Sequence, residues 1–448
     1  MFRKKHSLIK GTLILTSAGL VSRVLGFFFR IFLSHTFGEE QVGLYQLIFP
    51  FYALCLSLST SGLETAISRS VSRFHSLGRT QDGKLIFQTG LILSVLISLI
   101  CTFLVQKNSV FLSNRFLGDP RCATLLYLIV LALPAASVHS CICGYHYGLQ
   151  RTSVPAISQL LEQFVRISSV FVLYFIFIHS GVHPEIPLAV SGIIFGELAA
   201  AGYSLFSLKK GFDADSPYIL SISKSCSELL RLSVPLTVNR TAITFLQGIE
   251  AASIPVCLEL ASHSASEALS IYGVLTGMAL PCILFPCALT NSVSLLLIPA
   301  VAQKQAESSS KETFLLIKKA AGGCFSLGLL CSVFFLLTGS FLGNFLFHST
   351  LAGNFIVTLA WICPFLYTSS ALLSAINGLG LTTLTLMINL LGLSIRILSV
   401  YFGIPHYGIT GYLWGLFISQ LAVCLVALLT LSHEIKKEYL QSFESATD

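Results

Sequence analysis

Twelve apolar stretches, each long enough to cross a bilayer, follow one another through the chain with short polar connections between them. They fall near residues 10–34, 43–68, 85–106, 122–147, 154–179, 186–208, 230–257, 269–301, 315–338, 353–376, 381–402 and 408–431. A helix spans the hydrocarbon core with about 20 apolar residues, so each stretch is read as one crossing. Composition agrees: hydrophobic residues make up 54% of the 448 and charged residues 10%, where a soluble domain carries about 25%. The expected class is an all-α integral membrane protein with about twelve transmembrane helices. Pro50, Pro134, Pro235, Pro281, Pro286 and Pro364 fall inside these stretches. Neighbouring helices in a bundle absorb such kinks.

Charge orients the segments. When the connections are assigned alternately to two sides, nineteen of the 27 Lys and Arg fall on the side of the N-terminus, three on the other (Lys107, Arg115, Arg121) and five within helices. This bias predicts cytoplasmic termini and an even number of spans in the cytoplasmic membrane. The net charge of +7 then faces membrane lipids with anionic headgroups and implies no nucleic-acid partner. The basic opening MFRKKHSLIKG leads into the first segment with no small-residue cleavage site, so that segment is read as a retained helix. Thirteen cysteines are scattered through apolar segments, and no CxxC or Cys/His ladder implies a metal.

The longest connection falls mid-chain and predicts three parts: a six-helix half over 1–210, a cytoplasmic linker over 211–229 and a second half over 230–448. The halves match at an offset of 230. Pro134 falls on Pro364, Ser140 on Ser370, Gly148 on Gly378, Thr152 on Thr382 and Arg166-Ile167 on Arg396-Ile397. With another gap, Gly192-Ile-Ile-Phe falls on Gly415-Leu-Phe-Ile. Six helices return the chain to its starting side, so the repeats are expected to be parallel, around a central cavity.

Ionisable groups at membrane depth are costly and mark candidate sites. Arg23 and Arg30 lie inside the first segment, seven residues apart, so both project from nearly one face about 10 Å apart. Gly26 leaves a notch between them. They are read as holding an anion in a polar cavity; the alternative is that both snorkel to opposite interfaces. The seventh segment, counterpart of the first, adds Asn239, Arg240, Gln247 and Glu250, and the second adds Glu64. Glu162 and Arg166, four apart, can pair on one helix face and are read first as a structural pair. Arg396 occupies the matching place with Gly392 in place of the acid, and Glu197 lies within the sixth segment. No G-x-S-x-G, HExxH, P-loop or acidic loop cluster is present, so neither catalytic residues nor a cofactor is expected.

The run Arg23-Val-Leu-Gly-Phe, Arg30, and then FGEEQVGLYQLIFPFYALCLSLSTSGLETAISRSVS over 37–72 resembles the stage V sporulation protein B group. That group belongs to the multidrug/oligosaccharidyl-lipid/polysaccharide exporter superfamily and is related to lipid II flippases. The resemblance implies translocation of an undecaprenyl-diphosphate-linked oligosaccharide or peptidoglycan precursor by alternating access, with the coupling cation left open. A cation-coupled multidrug exporter of the same superfamily is the alternative. A major facilitator transporter would carry a G-x-x-x-D-[RK]-x-G-[RK] pattern where this chain reads SRFHSLGRTQDGK.

Overall fold

The computed structural model describes residues 2–208, 221–306 and 310–444. Every regular element among them is helical. Eleven helices are long and apolar enough to cross a membrane, and the first, Ile14–Ser76, runs 63 residues. At 1.5 Å per residue that is about 95 Å, or more than two bilayer cores. It is broken at Gly38, where φ 77° and ψ 174° interrupt the helical dihedrals, and glycine adopts such a φ without a Cβ penalty. The twelve crossings are therefore α1 (residues 2–37), α2 (39–76), α3 (Thr80–Lys107), α4 (Cys122–Gly148), α5 (Ser153–His179), α6 (Pro187–Leu208), α7 (Ile222–Leu260), α8 (265–306), α9 (Ser310–Phe347), α10 (Thr350–Gly378), α11 (Thr382–Tyr407) and α12 (Ile409–Glu444). Within α8 the helix is interrupted at Phe285 and Pro286. Of the expected linker, 211–220 lies outside the described residues, and the chain is helical again from Ile222.

The chain divides into two compact units, Met1–Ala252 and Ser253–Asp448. In the first, Leu63, Ile67 and Phe74 of α2 form a core with Ile86 and Phe87 of α3 and Ile142 of α4. In the second, Val301 of α8, Leu372 and Ile376 of α10 and Val423 and Ala427 of α12 do the same.

The repeat expected at offset 230 is present in detail. A 3₁₀ turn at Val130–Ala132 runs into Leu133–Gly148, with Pro134 in its first turn. Ala360–Ile362 runs into Cys363–Gly378 with Pro364 in the same place. A Cβ added at Gly148 would sit 2.7 Å from the Ser68 carbonyl oxygen and 2.8 Å from Val71 Cβ; at Gly378 it would sit 2.8 Å from the Ile298 carbonyl oxygen and 2.9 Å from Val301 Cβ. The partners obey the same offset, so both halves use one glycine to seat one helix pair.

Ser57–Ser61 in α2 widens to a π turn, which frees backbone carbonyls that lipid cannot satisfy. Side chains answer them: the Ser59, Thr60 and Ser61 hydroxyls donate to the carbonyls of Cys55 (2.9 Å), Leu56 (2.8 Å) and Ser57 (2.9 Å). At that level α2 meets α7, where Ser57 Oγ lies 3.2 Å from Thr241 Oγ1. The backbones are close enough that a Cβ on Gly62 would sit 2.5 Å from the Ser233 carbonyl oxygen.

Candidate functional site

On α1, Arg23 is exposed and Arg30 half-buried. Gly26 between them faces open space, with no atom within 4 Å of where a Cβ would stand. The adjoining face of α1 packs on α5 through Phe32, which meets Phe171 at 4.3 Å and Tyr174 at 5.4 Å between ring centroids. Phe28 is exposed and Phe29 buried. The G-E-E-x-x-G-L-Y-Q segment has structural work in this region. Gly38 turns the chain, Glu40 pairs with Arg121 at 2.6 Å, and Tyr45 is buried within electrostatic reach of Arg166 and Arg30.

On α7, Asn239, Arg240 and Gln247 are exposed and Glu250 is buried. Arg240 lies within electrostatic reach of Glu64 on α2, which also interacts with His139 and Ser140 of α4. Two candidates from separate helices thus share one neighbourhood. In the second unit the same offset places Ser294 against Ser370, with their hydroxyl oxygens 3.0 Å apart. The repeat therefore keeps this contact and replaces the acid by a serine.

The Glu64 neighbourhood leads to a polar cluster that no local spacing announces. Its members come from four helices: Tyr52 on α2, His139 on α4, Ser158, Glu162 and Arg166 on α5, and Glu197 on α6. Glycines bring the helices together. A Cβ on Gly196 of α6 would sit 2.8 Å from the Glu162 carbonyl oxygen, and one on Gly144 of α4 2.7 Å from that of Glu64. Glu162 pairs with Arg166 along α5 as the four-residue spacing predicts. His139 Nδ1 lies 3.4 Å from Glu197 Oε2, and its Nε2 lies 3.0 Å from Ser158 Oγ. One ligand atom from each of His139, Glu162 and Glu197 lies within 4.8 Å of the others. Tyr52 is 7% exposed and its hydroxyl has no hydrogen-bond partner, yet Glu197, Arg166 and Glu162 all lie within its electrostatic reach.

These hydrogen bonds count protons. When Ser158 Oγ donates to the Pro155 carbonyl oxygen at 2.9 Å, it accepts from His139 Nε2–H at 3.0 Å. A neutral imidazole protonated on Nε2 leaves Nδ1 bare. Nδ1 and a Glu197 carboxylate cannot bond to each other without a proton between them. With that proton, and with Arg166 balancing Glu162, the cluster is neutral; without it, one negative charge remains at membrane depth, where charge is expensive. Arg166 already answers the second carboxylate, which disfavours a divalent metal.

Residues 8–303 match the family described as polysaccharide biosynthesis protein. Among curated proteins, the chain is 29% identical over 451 residues to stage V sporulation protein B of Bacillus subtilis (strain 168), covering 98% of this chain and 87% of that one. It is 24% identical over 316 residues to the lipid II flippase MurJ of the same organism, covering 66% of this chain and 58% of that one. Among solved structures, it superimposes on an inward-facing multidrug resistance MATE family transporter of the MOP superfamily with a TM-score of 0.72 at 15% identity, covering 94% of this chain and 96% of that one. A MOP superfamily transporter from Pyrococcus furiosus gives 0.67 at 14% identity, covering 97% and 96%. The fold is thus shared with these two solved structures, and the chain belongs to the polysaccharide biosynthesis protein family.

Proposed function

We propose that this protein is a flippase that moves an undecaprenyl-diphosphate-linked oligosaccharide or peptidoglycan precursor across the cytoplasmic membrane by alternating access, with both termini in the cytoplasm. The observation that carries this reading is the near full-length similarity to stage V sporulation protein B, and the flippase relative supports it. The chemistry is compatible. Arg23 and Arg30 stand two turns apart on α1 with an open notch at Gly26, and guanidinium forks suit diphosphate oxygens. Arg240, Asn239, Gln247, Glu64 and Glu250 are assigned to the same path. The halves at 1–210 and 230–448, joined through 211–229, are the moving parts in this reading.

The coupling cation is proposed to be a proton, held between His139 and Glu197. Their contact needs one proton, and losing it leaves the cluster charged. The same observation favours the second reading, a cation-coupled multidrug exporter, which would share that cluster and dispense with the arginines. Depletion of the protein in cells separates the two. Accumulation of a lipid-linked saccharide on the cytoplasmic face supports the flippase. Normal precursor levels with raised drug sensitivity would replace it with the exporter.

A further inference from the structure

The second unit holds a groove that the reading above leaves unused. α10 packs against both α9 and α12, while α9 and α12 touch each other little. The two outer helices therefore stand apart over a floor that includes Phe365 and Leu372 of α10. The space between them is about 480 Å³, within the roughly 300–1,000 Å³ of cavities that enclose small ligands. Its walls run from Phe314 to Phe325 on α9 and from Leu421 to Ser432 on α12. Each wall is thus about 16 Å long at 1.5 Å per residue, or about half of a 30 Å hydrocarbon core. The groove has the depth of one leaflet. It opens sideways, where Phe314, Leu425 and Leu428 are 48%, 50% and 45% exposed.

Its lining is apolar apart from Thr368 on the floor and the basic end. Lys318 contributes to the wall and is exposed, in the part of α9 that follows the Lys304–Glu312 ion pair at 2.6 Å and precedes Lys319. Ser432 closes the α12 wall. A lysine can lay its alkyl stem along such a wall and carry its ammonium to the headgroup level. Gly322, one turn further along α9, leaves the wall bare, with nothing within 4 Å of a Cβ built on it.

We propose that this groove is a lipid site that holds one acyl chain of an anionic glycerophospholipid, with the phosphate at Lys318. The apolar walls select a hydrocarbon chain and the single-leaflet length selects an acyl chain. The lysine at one end selects a negative headgroup, since each basic residue near a membrane surface favours anionic lipid. An undecaprenyl tail is far longer than one leaflet and would outrun the walls. The site uses no residue of α1 and does not depend on which substrate is moved.

The test uses the full-length protein in nanodiscs of equal parts phosphatidylcholine and phosphatidylglycerol, with retained lipids read by native mass spectrometry. Phosphatidylglycerol should be retained over phosphatidylcholine. Lys318→Ala should cut that preference about fivefold, and Gly322→Trp, which fills the groove from a position with room, should abolish it. Thermal unfolding establishes that each variant is folded; should Gly322→Trp fail to fold, Lys318→Ala on its exposed site decides. Equal retention of the two lipids, or a preference unchanged in the variants, overturns the proposal. So does displacement of phosphatidylglycerol by undecaprenyl phosphate added at equal concentration, which would make the groove a substrate site.

Discussion

His139 presents Nδ1 to the Glu197 carboxylate at 3.4 Å while its other nitrogen is held by Ser158. The imidazole is fixed at both ends, and its Nδ1 contact with Glu197 is the place proposed for the coupling proton. In proteoliposomes an imposed pH gradient should accelerate flipping by the wild type. Glu197→Gln keeps the shape and removes the exchangeable site. Losing a hydrogen bond to a charged group costs about 1.5–3 kcal/mol, so the rate should fall about ten- to a hundredfold and become insensitive to the gradient. A Glu197→Gln protein that still answers the gradient as wild type does would remove the proton from the mechanism.

The neighbouring pair, Glu162 with Arg166, has side chains only 15% and 17% exposed. Breaking a buried pair strands a charge and costs about 3–5 kcal/mol, whereas replacing both partners by neutral groups is often harmless. Glu162→Gln should therefore lower thermal stability in detergent sharply, and adding Arg166→Met should restore most of it. If the single variant melts like wild type, the pair is not an isolated buried pair, and the charge count at the cluster fails with it.

Part of this arrangement was legible in the sequence. The Glu162–Arg166 pair follows from a spacing of four on one helix, and the seating of Gly148 and Gly378 from a repeat at one offset. Both are local or periodic signals. His139 gave none: its partners Ser158 and Glu197 lie on other helices, 19 and 58 residues away. Only packing unites them, through glycines such as Gly144 and Gly196 that have no side chain to pattern. Ser140, which the repeat did mark, adjoins His139 and was the nearest available pointer. Glu40 gives no signal for a similar reason, because its partner Arg121 is far along the chain and reads as a loop charge. Glu64 and Arg240 were each readable as costly charges at depth, but their shared neighbourhood was not, since it needs α2 laid against α7.

The repeat makes a paired prediction. Gly148→Val and Gly378→Val force side-chain atoms into the Ser68 and Ile298 carbonyls at matching places. Overpacking of this kind costs about 1–3 kcal/mol, so both variants should lower the melting temperature in detergent by similar amounts. Gly26→Ala is the control, because its Cβ meets nothing and alanine favours a helix interior by up to about 1 kcal/mol. Equal losses at all three positions would mean that melting responds to glycine removal in general and not to these two contacts.

Arg23 and Arg30 give the sharpest test of the substrate. If they hold a diphosphate, lysine cannot replace them fully, because an ammonium is a point charge and lacks the planar fork. A hydrogen bond to a charged group contributes about 1.5–3 kcal/mol, so Arg23→Ala should weaken binding of a lipid-linked diphosphate about ten- to a hundredfold. Arg23→Lys should fall between Ala and wild type. The double variant Arg23→Ala/Arg30→Ala should reach the membrane at least as well as wild type, since removing charge at depth eases insertion. Flipping measured in proteoliposomes beside the amount of inserted protein separates a lost site from a lost fold. Wild-type flipping by a well-inserted double variant would leave both arginines as anchors at the bilayer surface and would withdraw the phosphate from the reading of α1.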